Sequence, residues 1–217
     1  MSAEEIKIIE EKVAGVVDGK LNFPELKQKY IDWADLYEQD MNTWGYKSPI
    51  IALRELKVIL GDNKEGRILD VCAGTGMTGK AYFDDGYTNL EAFDGNPAML
   101  EKAKEKNVYK AFHVGFLGDN IDLPDNSYDV ISLYGALCDG HVNPDSFSCF
   151  KEFTRILKPG GSFIGGIVKG CLSDEYRQKV EAAYQALVDE GLWEQVVNKL
   201  APEGDSYEEQ IWVYKVK

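Results

Sequence analysis

Over about the first 60 residues, apolar positions recur with the spacing of amphipathic helices. This spacing predicts three helices, at residues 3–17, 24–37 and 50–60. The first is expected to end at Asp18-Gly19 and the third at Gly61-Asp62. Ser48 is expected to cap the third helix, with Pro49 in its first turn. The first part of the chain is therefore predicted to be helical.

From residue 67 onward, short apolar runs alternate with helical segments. Five strands are predicted, at residues 67–71, 89–94, 108–114, 128–134 and 161–168. Helices are predicted between them near residues 77–85, 97–106 and 144–157. A further helix at 174–190 and two runs at 192–200 and 210–216 follow, and these runs predict a hairpin with one strand antiparallel to the rest. Alternation of this kind is typical of an α/β fold with a parallel sheet and helices on both faces.

Composition limits the classes of partner. The net charge is −13 and no basic stripe is present, which argues against nucleic acid as a ligand. A basic protein partner, or a cationic or neutral small molecule, suits such a charge better. No apolar run is long enough to span a membrane, and the first residues do not resemble a secretory signal, so a cytoplasmic protein is expected. The four cysteines show no metal-site spacing, so no metal is expected.

The stretch ILDVCAGTGMTG contains a GxGxxG loop after the first predicted strand. Asp70 stands within that strand, where its carboxylate could balance an ammonium group that a dinucleotide lacks. Gly74 and Gly76 would let the backbone approach a ligand closely. Asp94 closes the second strand, where a carboxylate can accept hydrogen bonds from both hydroxyls of a ribose. The alternative role for Asp94 is the N-cap of the helix that starts near Pro97.

Four segments resemble, in order, the motifs of class I S-adenosylmethionine-dependent methyltransferases. LDVCAGTG is similar to their glycine loop, FDGNPAML to their second-strand acid, DLPDNSYDVI to the approach to their fourth strand, and RILKPGG to the turn before their fifth. A similarity over nearly the whole chain, in YIDWADLYEQDM, YGALCDGHV and EAAYQALVDEGLWE, points to the methyltransferase-like protein family of the Williams–Beuren syndrome region.

The resemblance implies a Rossmann-like class I methyltransferase fold, with a seven-stranded, mostly parallel sheet and an N-terminal helical cap. The whole chain, 1–217, would form one domain, with the cap at 1–60 and the cofactor-binding core at 61–217. The cofactor would be S-adenosyl-L-methionine, and the product S-adenosyl-L-homocysteine.

The resemblance also assigns cofactor contacts to particular residues. They are Tyr37, Asp70, Ala73, Gly74, Thr75, Gly76, Asp94, Gly95, Asn96, Met99, Gly118, Asp119 and Tyr134. The residues beside the adenine have two possible registers, Asp119-Asn120 or Phe116-Leu117. The chain departs from the common family pattern at Cys72, where glycine is usual, and at Gly118, where an aromatic or acidic residue is usual.

An aromatic segment precedes the sheet. Tyr30, Trp33 and Tyr37 fall on one helical face, which is explained equally well by a core stripe and by a lid over a binding site. In related methyltransferases the similar segment directs the hydroxyl matching Tyr37 at the cofactor carboxylate, and a helical lid would exclude water. The candidate substrate-binding residues are Tyr30, Trp33, Trp44 and Tyr46, whose rings would suit a cationic or planar substrate.

Methyl transfer from a sulfonium is an in-line displacement, so orientation supplies much of the catalysis, and a base is required only when the acceptor loses a proton. Of the two histidines, His113 lies in a predicted strand and is assigned a structural role. His141 follows the fourth strand and is the candidate general base, and Asp139 could orient it or bind a cationic acceptor. The alternative is that Asp139-Gly140 is a turn and His141 a solvated loop residue.

These observations favour a methyltransferase that acts on N or O of a small molecule. A protein-directed methyltransferase and a non-catalytic binding module are the alternatives, and the oligomeric state stays open, either monomer or dimer. Other enzyme classes fit poorly, because the chain has no GxSxG elbow, no HExxH and no P-loop lysine pattern.

Overall fold

The computed structural model describes residues 3–118, 120–142, 147–202, 204 and 207–217. The strands are β1 (Ile68–Val71), β2 (Leu90–Asp94), β3 (Ala111–Val114), β4 (Tyr128–Tyr134), β5 (Leu157–Val168), β6 (Trp193–Pro202) and β7 (Glu208–Val216). The helices are α1 (Ala3–Val17), α2 (Phe23–Trp33), α3 (Tyr37–Trp44), α4 (Ser48–Leu60), α5 (Met77–Asp84), α6 (Pro97–Glu105), α7 (Cys149–Ile156) and α8 (Asp174–Asp189). Asp119 and the first part of the helix predicted at 144–157 lie outside the described residues.

The described strands form one seven-stranded sheet in the order β3-β2-β1-β4-β5-β7-β6. Strands β1 to β5 run parallel to one another, and β7 is antiparallel to both of its neighbours. The predicted α/β fold, with its mostly parallel sheet and closing hairpin, is therefore confirmed. The strand order reverses between β1 and β4, and in open α/β sheets ligands bind at the carboxyl ends of the strands at such a point.

Two hydrophobic clusters cover the two faces of the sheet. Leu69 and Val71 face one cluster, in which Phe150 of α7 and Tyr184 of α8 pack together at a ring distance of 4.7 Å. Ile68, at an alternate position of the same strand, faces the other cluster, which α4, α5 and α6 cover. Because successive strand residues point to opposite faces, the buried run of β1 needs helices on both sides.

The N-terminal helices form a third cluster of their own, so the predicted helical cap is confirmed. Helix α2 begins with a capping box between Asn22 and Glu25. The predicted helix at 24–37 was wrong in length, because α2 ends at Trp33 and α3 starts after a short turn. The Trp33 indole N–H donates to Asp40 across that turn at 2.7 Å.

The predicted N-cap at Ser48 is also wrong. Lys47 occupies the cap position without a side-chain bond, while Pro49 lies in the first turn as expected. The Ser48 hydroxyl instead donates to Glu209 of β7 at 2.7 Å. A short-range capping rule could not anticipate a partner more than 150 residues away along the chain.

The side chain of Tyr109 occupies the space beside Gly79, the third glycine of the GxGxxG loop. Its hydroxyl donates to Asp70 at 2.5 Å, and its ring lies against the start of α5. A Cβ on Gly79 would lie 2.1 Å from the Tyr109 hydroxyl oxygen, and one on Gly76 would lie 2.9 Å from the ring. These glycines therefore make room for a protein side chain rather than for a pyrophosphate.

The described residues contain neither a membrane-spanning helix nor a metal-binding cluster. No helix among them is long and apolar enough to cross a membrane, and no group of three or more His, Cys, Asp or Glu side chains is arranged to hold a metal ion. His113 bonds Glu91 at 2.8 Å, in agreement with its structural role.

We expect Gly79→Ala to destabilise the protein by about 1–3 kcal/mol, since the new methyl group must displace the Tyr109 hydroxyl from Asp70. Gly15→Ala is the matched control, because it also replaces a helical glycine but meets no atom within 4 Å. It should be neutral or stabilising by up to about 1 kcal/mol. Urea unfolding at constant m-value measures both, and equal effects of the two variants would contradict the prediction.

Candidate functional site

A cavity of about 470 Å³ lies at the carboxyl ends of β1, β2 and β4, beneath helices α2 and α3 of the cap. It is at the reversal of strand order, and its volume is within the range of about 300–1,000 Å³ typical of small-molecule sites. Three sources supply the lining: the glycine loop after β1, the turn after β2, and aromatic residues of the cap.

The cavity brings together most of the residues that the sequence singled out. Those that line it are Tyr30, Tyr37, Tyr46, Ala73, Gly74, Thr75, Asp94, Gly95, Asn96, Met99, Tyr134 and His141. The predicted residues that do not line it are Trp33, Trp44, Asp70, Gly76, Gly118 and Asp139. Of the two registers considered beside the adenine, Phe116-Leu117 lines the cavity, whereas the described residue of the other, Asn120, does not.

Some lining residues were missed by the sequence analysis. Phe23, Leu26 and Lys27 of α2 contribute to the cavity wall, and the ring of Phe23 packs edge-to-face against Phe116 at 4.7 Å. The amphipathic pattern of α2 gave no signal for these contacts, because Phe23 is about half exposed and stands at the end of its helix.

Asp94 is held by two backbone donors. The N–H of Gly74 donates to one carboxylate oxygen at 2.8 Å, and the N–H of Asn96 donates to the other at 2.7 Å. Asn96, not Asp94, is the N-cap of α6, so the alternative capping role of Asp94 is wrong. Burial raises the pKa of Asp94, and the two N–H donors oppose that rise. Each oxygen of a carboxylate retains a further lone pair, so Asp94 can accept two more hydrogen bonds from a ligand.

Two buried hydroxyls in the cavity wall have no hydrogen-bond partner among the described residues. They are Thr75 Oγ1, in the glycine loop, and Tyr134 Oη, at the end of β4. Leaving a buried polar group unpaired costs about 1–3 kcal/mol, so both atoms favour a ligand with polar groups of its own. With the Asp94 carboxylate and the close glycine backbone, these donors fit an adenosine-bearing cofactor with an amino-acid end.

Asp70 lies behind the glycine loop and not in the cavity lining. It accepts hydrogen bonds from the Tyr109 hydroxyl and from the backbone N–H of Gly79 at the start of α5. Burial raises the pKa of Asp70 to about 7, and these two donors oppose the rise. In this arrangement the carboxyl fixes the loop and the helix N-terminus, and its direct contact with a ligand stays a prediction.

His141 lies in the cavity wall with both ring nitrogens in contact with side chains. Its Nε2 is 2.6 Å from the Tyr30 hydroxyl, and its Nδ1 is 3.0 Å from Cys138 Sγ. Burial lowers the pKa of His141 to about 4, so the imidazole is neutral at pH 7. Of the alternative interpretation, the turn at Asp139-Gly140 is confirmed, whereas a solvated loop histidine is wrong, because the ring is half-buried and both of its nitrogens contact side chains.

Asp139 does not occupy the position that an orienting role for His141 requires. Its carboxylate accepts a hydrogen bond from Ser173 at 2.8 Å, at the N-cap of α8. The tight turn after β4 directs the Asp139 side chain away from the cavity, so the proposed catalytic role of Asp139 is corrected to a structural one.

The two tryptophans of the cap belong to its core. Trp33 is buried and donates to Asp40, and Trp44 stacks on Tyr46 at a ring distance of 6.4 Å. Both line a smaller cavity of about 30 Å³ that shares Tyr30, Tyr37, Tyr46 and Gly135 with the large one. Trp33 also belongs to the core stripe, both tryptophans border the small cavity only, and a direct contact of either one with substrate stays a prediction.

The comparisons with known proteins agree with this geometry. A methyltransferase-domain family model matches residues 68–161. Human methyltransferase-like protein 27 is 32% identical over 179 residues, which cover 80% of this chain and 71% of the relative. A demethylmenaquinone methyltransferase of Staphylococcus aureus is 28% identical over 159 residues, covering 69% of this chain and 62% of the relative.

Solved structures show the same fold. A Haloferax volcanii methyltransferase, solved in complex with the Trm112 methyltransferase activator, superposes with a TM-score of 0.66 at 19% identity, covering 85% of this chain and 94% of the other. An S-adenosylmethionine-dependent methyltransferase from Mesorhizobium loti gives a TM-score of 0.58 at 18% identity, covering 76% and 95%.

The fold and the cavity thus define an S-adenosylmethionine-dependent methyltransferase, with S-adenosylmethionine as its cofactor. The identity of 32%, over 80% of this chain and 71% of the human relative, also shows the family. The chain belongs to the family of methyltransferase-like protein 27, from the Williams–Beuren region.

Cys72 occupies a strained backbone position at the edge of the cavity. Its φ is +54°, in the left-handed region that costs an L-residue about 1–2 kcal/mol. The common family pattern has glycine here, which adopts this conformation freely.

We therefore expect Cys72→Gly to be about 1 kcal/mol more stable than Cys72→Ala, since both variants lose the sulfur but only glycine relieves the strain. Chemical denaturation of the two purified variants measures the difference. An alanine variant as stable as the glycine variant would show that the backbone at residue 72 is not strained.

Proposed function

We propose that this methyltransferase transfers the methyl group to N or O of a small molecule, in a water-excluded site. The observation that supports this proposal most directly is the enclosure of the cavity by the cap. Asn96 Nδ2 donates to the Lys27 carbonyl of α2 at 3.2 Å on one side, and Tyr30 contacts His141 at 2.6 Å on the other. A polypeptide substrate would need an open groove, whereas an acceptor of modest size fits beneath such a lid.

The cofactor supplies an activated methyl group on a sulfonium sulfur. In the proposal, Asp94 would accept hydrogen bonds from both ribose hydroxyls, and the backbone of residues 73–75 with Thr75 Oγ1 would contact the amino-acid end. Tyr37, which lines the cavity near Asp94, would donate to the cofactor carboxylate. Met99 and Phe116, which also line the cavity, would lie against the adenine.

Tyr30 and His141 are proposed to accept the proton that the methyl acceptor releases. Because His141 is neutral, its Nε2 can accept the Tyr30 hydroxyl proton while Nδ1–H faces Cys138 Sγ. As the Tyr30 oxygen accepts the proton that an N–H or O–H acceptor releases, its own hydroxyl proton passes to Nε2, so the relay ends on protonated His141. With a pKa of about 4, His141 is unprotonated throughout the neutral pH range, and burial also makes it a weaker base than an exposed imidazole.

A protein-directed enzyme is the second candidate. The Haloferax structural neighbour assembles with an activator protein, and the net charge of −13 would favour a basic partner. The Staphylococcus relative, in contrast, is named for demethylmenaquinone. Both alternatives are compatible with the proposed cytoplasmic location, in which the four free cysteines would stay reduced, and with one domain over the whole chain.

Isotopic labelling distinguishes these candidates. Purified protein is incubated with cell extract and S-adenosylmethionine that carries a labelled methyl group. Label in a small metabolite supports the proposal, label in a polypeptide overturns it in favour of the second candidate, and cofactor binding without labelled product indicates a binding module.

We expect Asp94→Asn to weaken S-adenosylhomocysteine binding by about ten- to a hundredfold, because bonds to a charged acceptor contribute about 1.5–3 kcal/mol. Asp84→Asn is the matched control, since Asp84 lies on α5 and pairs only with Lys80 at the surface among described residues. Titration calorimetry measures both, and unchanged affinity of the Asp94 variant would contradict the assigned ribose contact.

For an acceptor that must lose a proton, we expect Tyr30→Phe to lower the rate of label transfer by about a hundredfold or more. Cofactor affinity should change little, because the lost hydroxyl faces His141. Tyr184→Phe is the control, since it removes another buried hydroxyl that has no partner in the described part of the chain and lies in the opposite core. A Tyr30 variant as active as the control would exclude the Tyr30–His141 relay.

A further inference from the structure

Glu209 is a buried acid that the reaction described above does not use. It stands near the start of β7 and is 0% exposed. One carboxylate oxygen accepts hydrogen bonds from Ser48 at 2.7 Å and from Tyr207 at 3.0 Å. The other, Oε1, is buried without a partner in the described ranges. A purely structural role, in which Glu209 joins β7 to α4, accounts for the bonds of the first oxygen. It does not account for the burial of the second oxygen without a partner.

The topology brings Glu209 to the catalytic edge of the sheet. Because β7 is antiparallel to β5, its first residues lie beside the carboxyl end of β5, and Glu209 pairs with Val168. Val168 and its neighbour Ile167 line the small cavity beneath the cap, together with Gly135 and Cys171. Glu209 lines neither cavity itself, but its strand partner Val168 lines the small one, which shares wall residues with the large cavity.

Because residue 166 is glycine, Glu209 Oε1 can lie close to the ring of Tyr134. A Cβ on Gly166 would lie 2.9 Å from Glu209 Oε1 and 2.3 Å from Cε1 of the Tyr134 ring. The Tyr134 hydroxyl is itself buried without a partner among the described residues, and it lines the large cavity. Glu209 Oε1 thus lies beside the edge of the Tyr134 ring, and that ring carries the second unsatisfied oxygen.

The surroundings favour a cation. The rings of Tyr30, Tyr37 and Tyr46 line the wall that the two cavities share, and aromatic faces attract cations. A buried carboxylate attracts a cation more strongly than an exposed one does, because the local dielectric constant is low. An ammonium group has three donors, enough for Glu209 Oε1 and the Tyr134 hydroxyl.

We propose that Glu209 and Tyr134 form an ammonium subsite, and that the methyl acceptor of this enzyme is a small molecule that carries an amino group bound there. The inference rests on the proposed small-molecule function and names the chemical class of the acceptor. The proton of the reacting atom remains the task of Tyr30 and His141.

Burial raises the pKa of Glu209 to about 7, and its two hydroxyl donors oppose the rise. Several ionisable groups surround it: Tyr46 before α4, Tyr134 on β4, Cys171 after β5, Tyr207 before β7 and, through the Tyr207 ring, Lys47 at 5.9 Å. The negative charge of Glu209 contributes to raising the pKa of each of the tyrosines and of Cys171, after burial as the main cause. A bound ammonium would favour the ionised form of Glu209.

The test compares benzylamine with benzyl alcohol, a neutral probe of similar shape, by calorimetry on protein saturated with S-adenosylhomocysteine. Wild type should bind the amine at least about tenfold more tightly than the alcohol, and Glu209→Gln should lose that preference while its S-adenosylhomocysteine affinity is unchanged. Glu208→Gln is the matched control, because Glu208 pairs with Lys169 at the surface and should leave the preference intact.

A second measurement uses wild type alone and so does not depend on the folding of a variant. From pH 6 to pH 8 the ionised fraction of Glu209 rises from about a tenth to about nine tenths, so amine affinity should rise about tenfold. Three results would each overturn the subsite: equal affinity for amine and alcohol, absence of amine binding, or a preference for the amine that survives in Glu209→Gln. Failure of folded wild type to bind S-adenosylhomocysteine would overturn the proposed function as well.

Discussion

The hydrogen bond from Tyr109 to Asp70 determines the shape of the binding edge. Tyr109 precedes β3, at the far side of the sheet from β4, yet its ring reaches the loop after β1 because Gly76 and Gly79 carry no side chain. Asp70 in turn accepts the N–H of Gly79 and so joins the strand to the first turn of α5. These two contacts fix the ends of the glycine loop. Within that loop, the N–H of Gly74 donates to Asp94.

Much of the fold followed from short-range pattern. The change from helical spacing to short apolar runs near residue 67 gave the order of elements, and the closing hairpin was expected from two runs of strand-forming residues. The ends of elements were less accessible. The break after Trp33 and the absence of a cap bond at Ser48 depend on Asp40 and Glu209, partners that a local rule does not consider.

The site divides in the same way. Residues of the glycine loop and of the turn after β2 line the cavity as their motifs indicate, because the carboxyl ends of adjacent parallel strands must meet there. Residues whose position depends on a turn or on packing of the cap were harder to assign. Asp139 is two residues from His141 in sequence but faces α8, and Phe23 reaches the cavity only because α2 docks over it. Glu209 was not singled out, since nothing near it in the sequence suggests a buried acid.

The contact between Phe23 and Phe116 has a consequence for ligand exchange. Elsewhere the cap is held by an apolar cluster and by polar contacts, which include the ion pair of Lys102 with Asp35 at 2.8 Å and that of Lys106 with Glu38. At Phe23 and Phe116 only two half-exposed rings meet, and such an edge-to-face contact contributes about 0.5–1.5 kcal/mol beyond its buried area. Rotation of these side chains would uncover the cavity without unfolding a helix. We therefore expect the cofactor to enter and leave between Phe23 and Phe116. The time for which it stays bound would then depend on the motion of these two rings rather than on that of the whole cap.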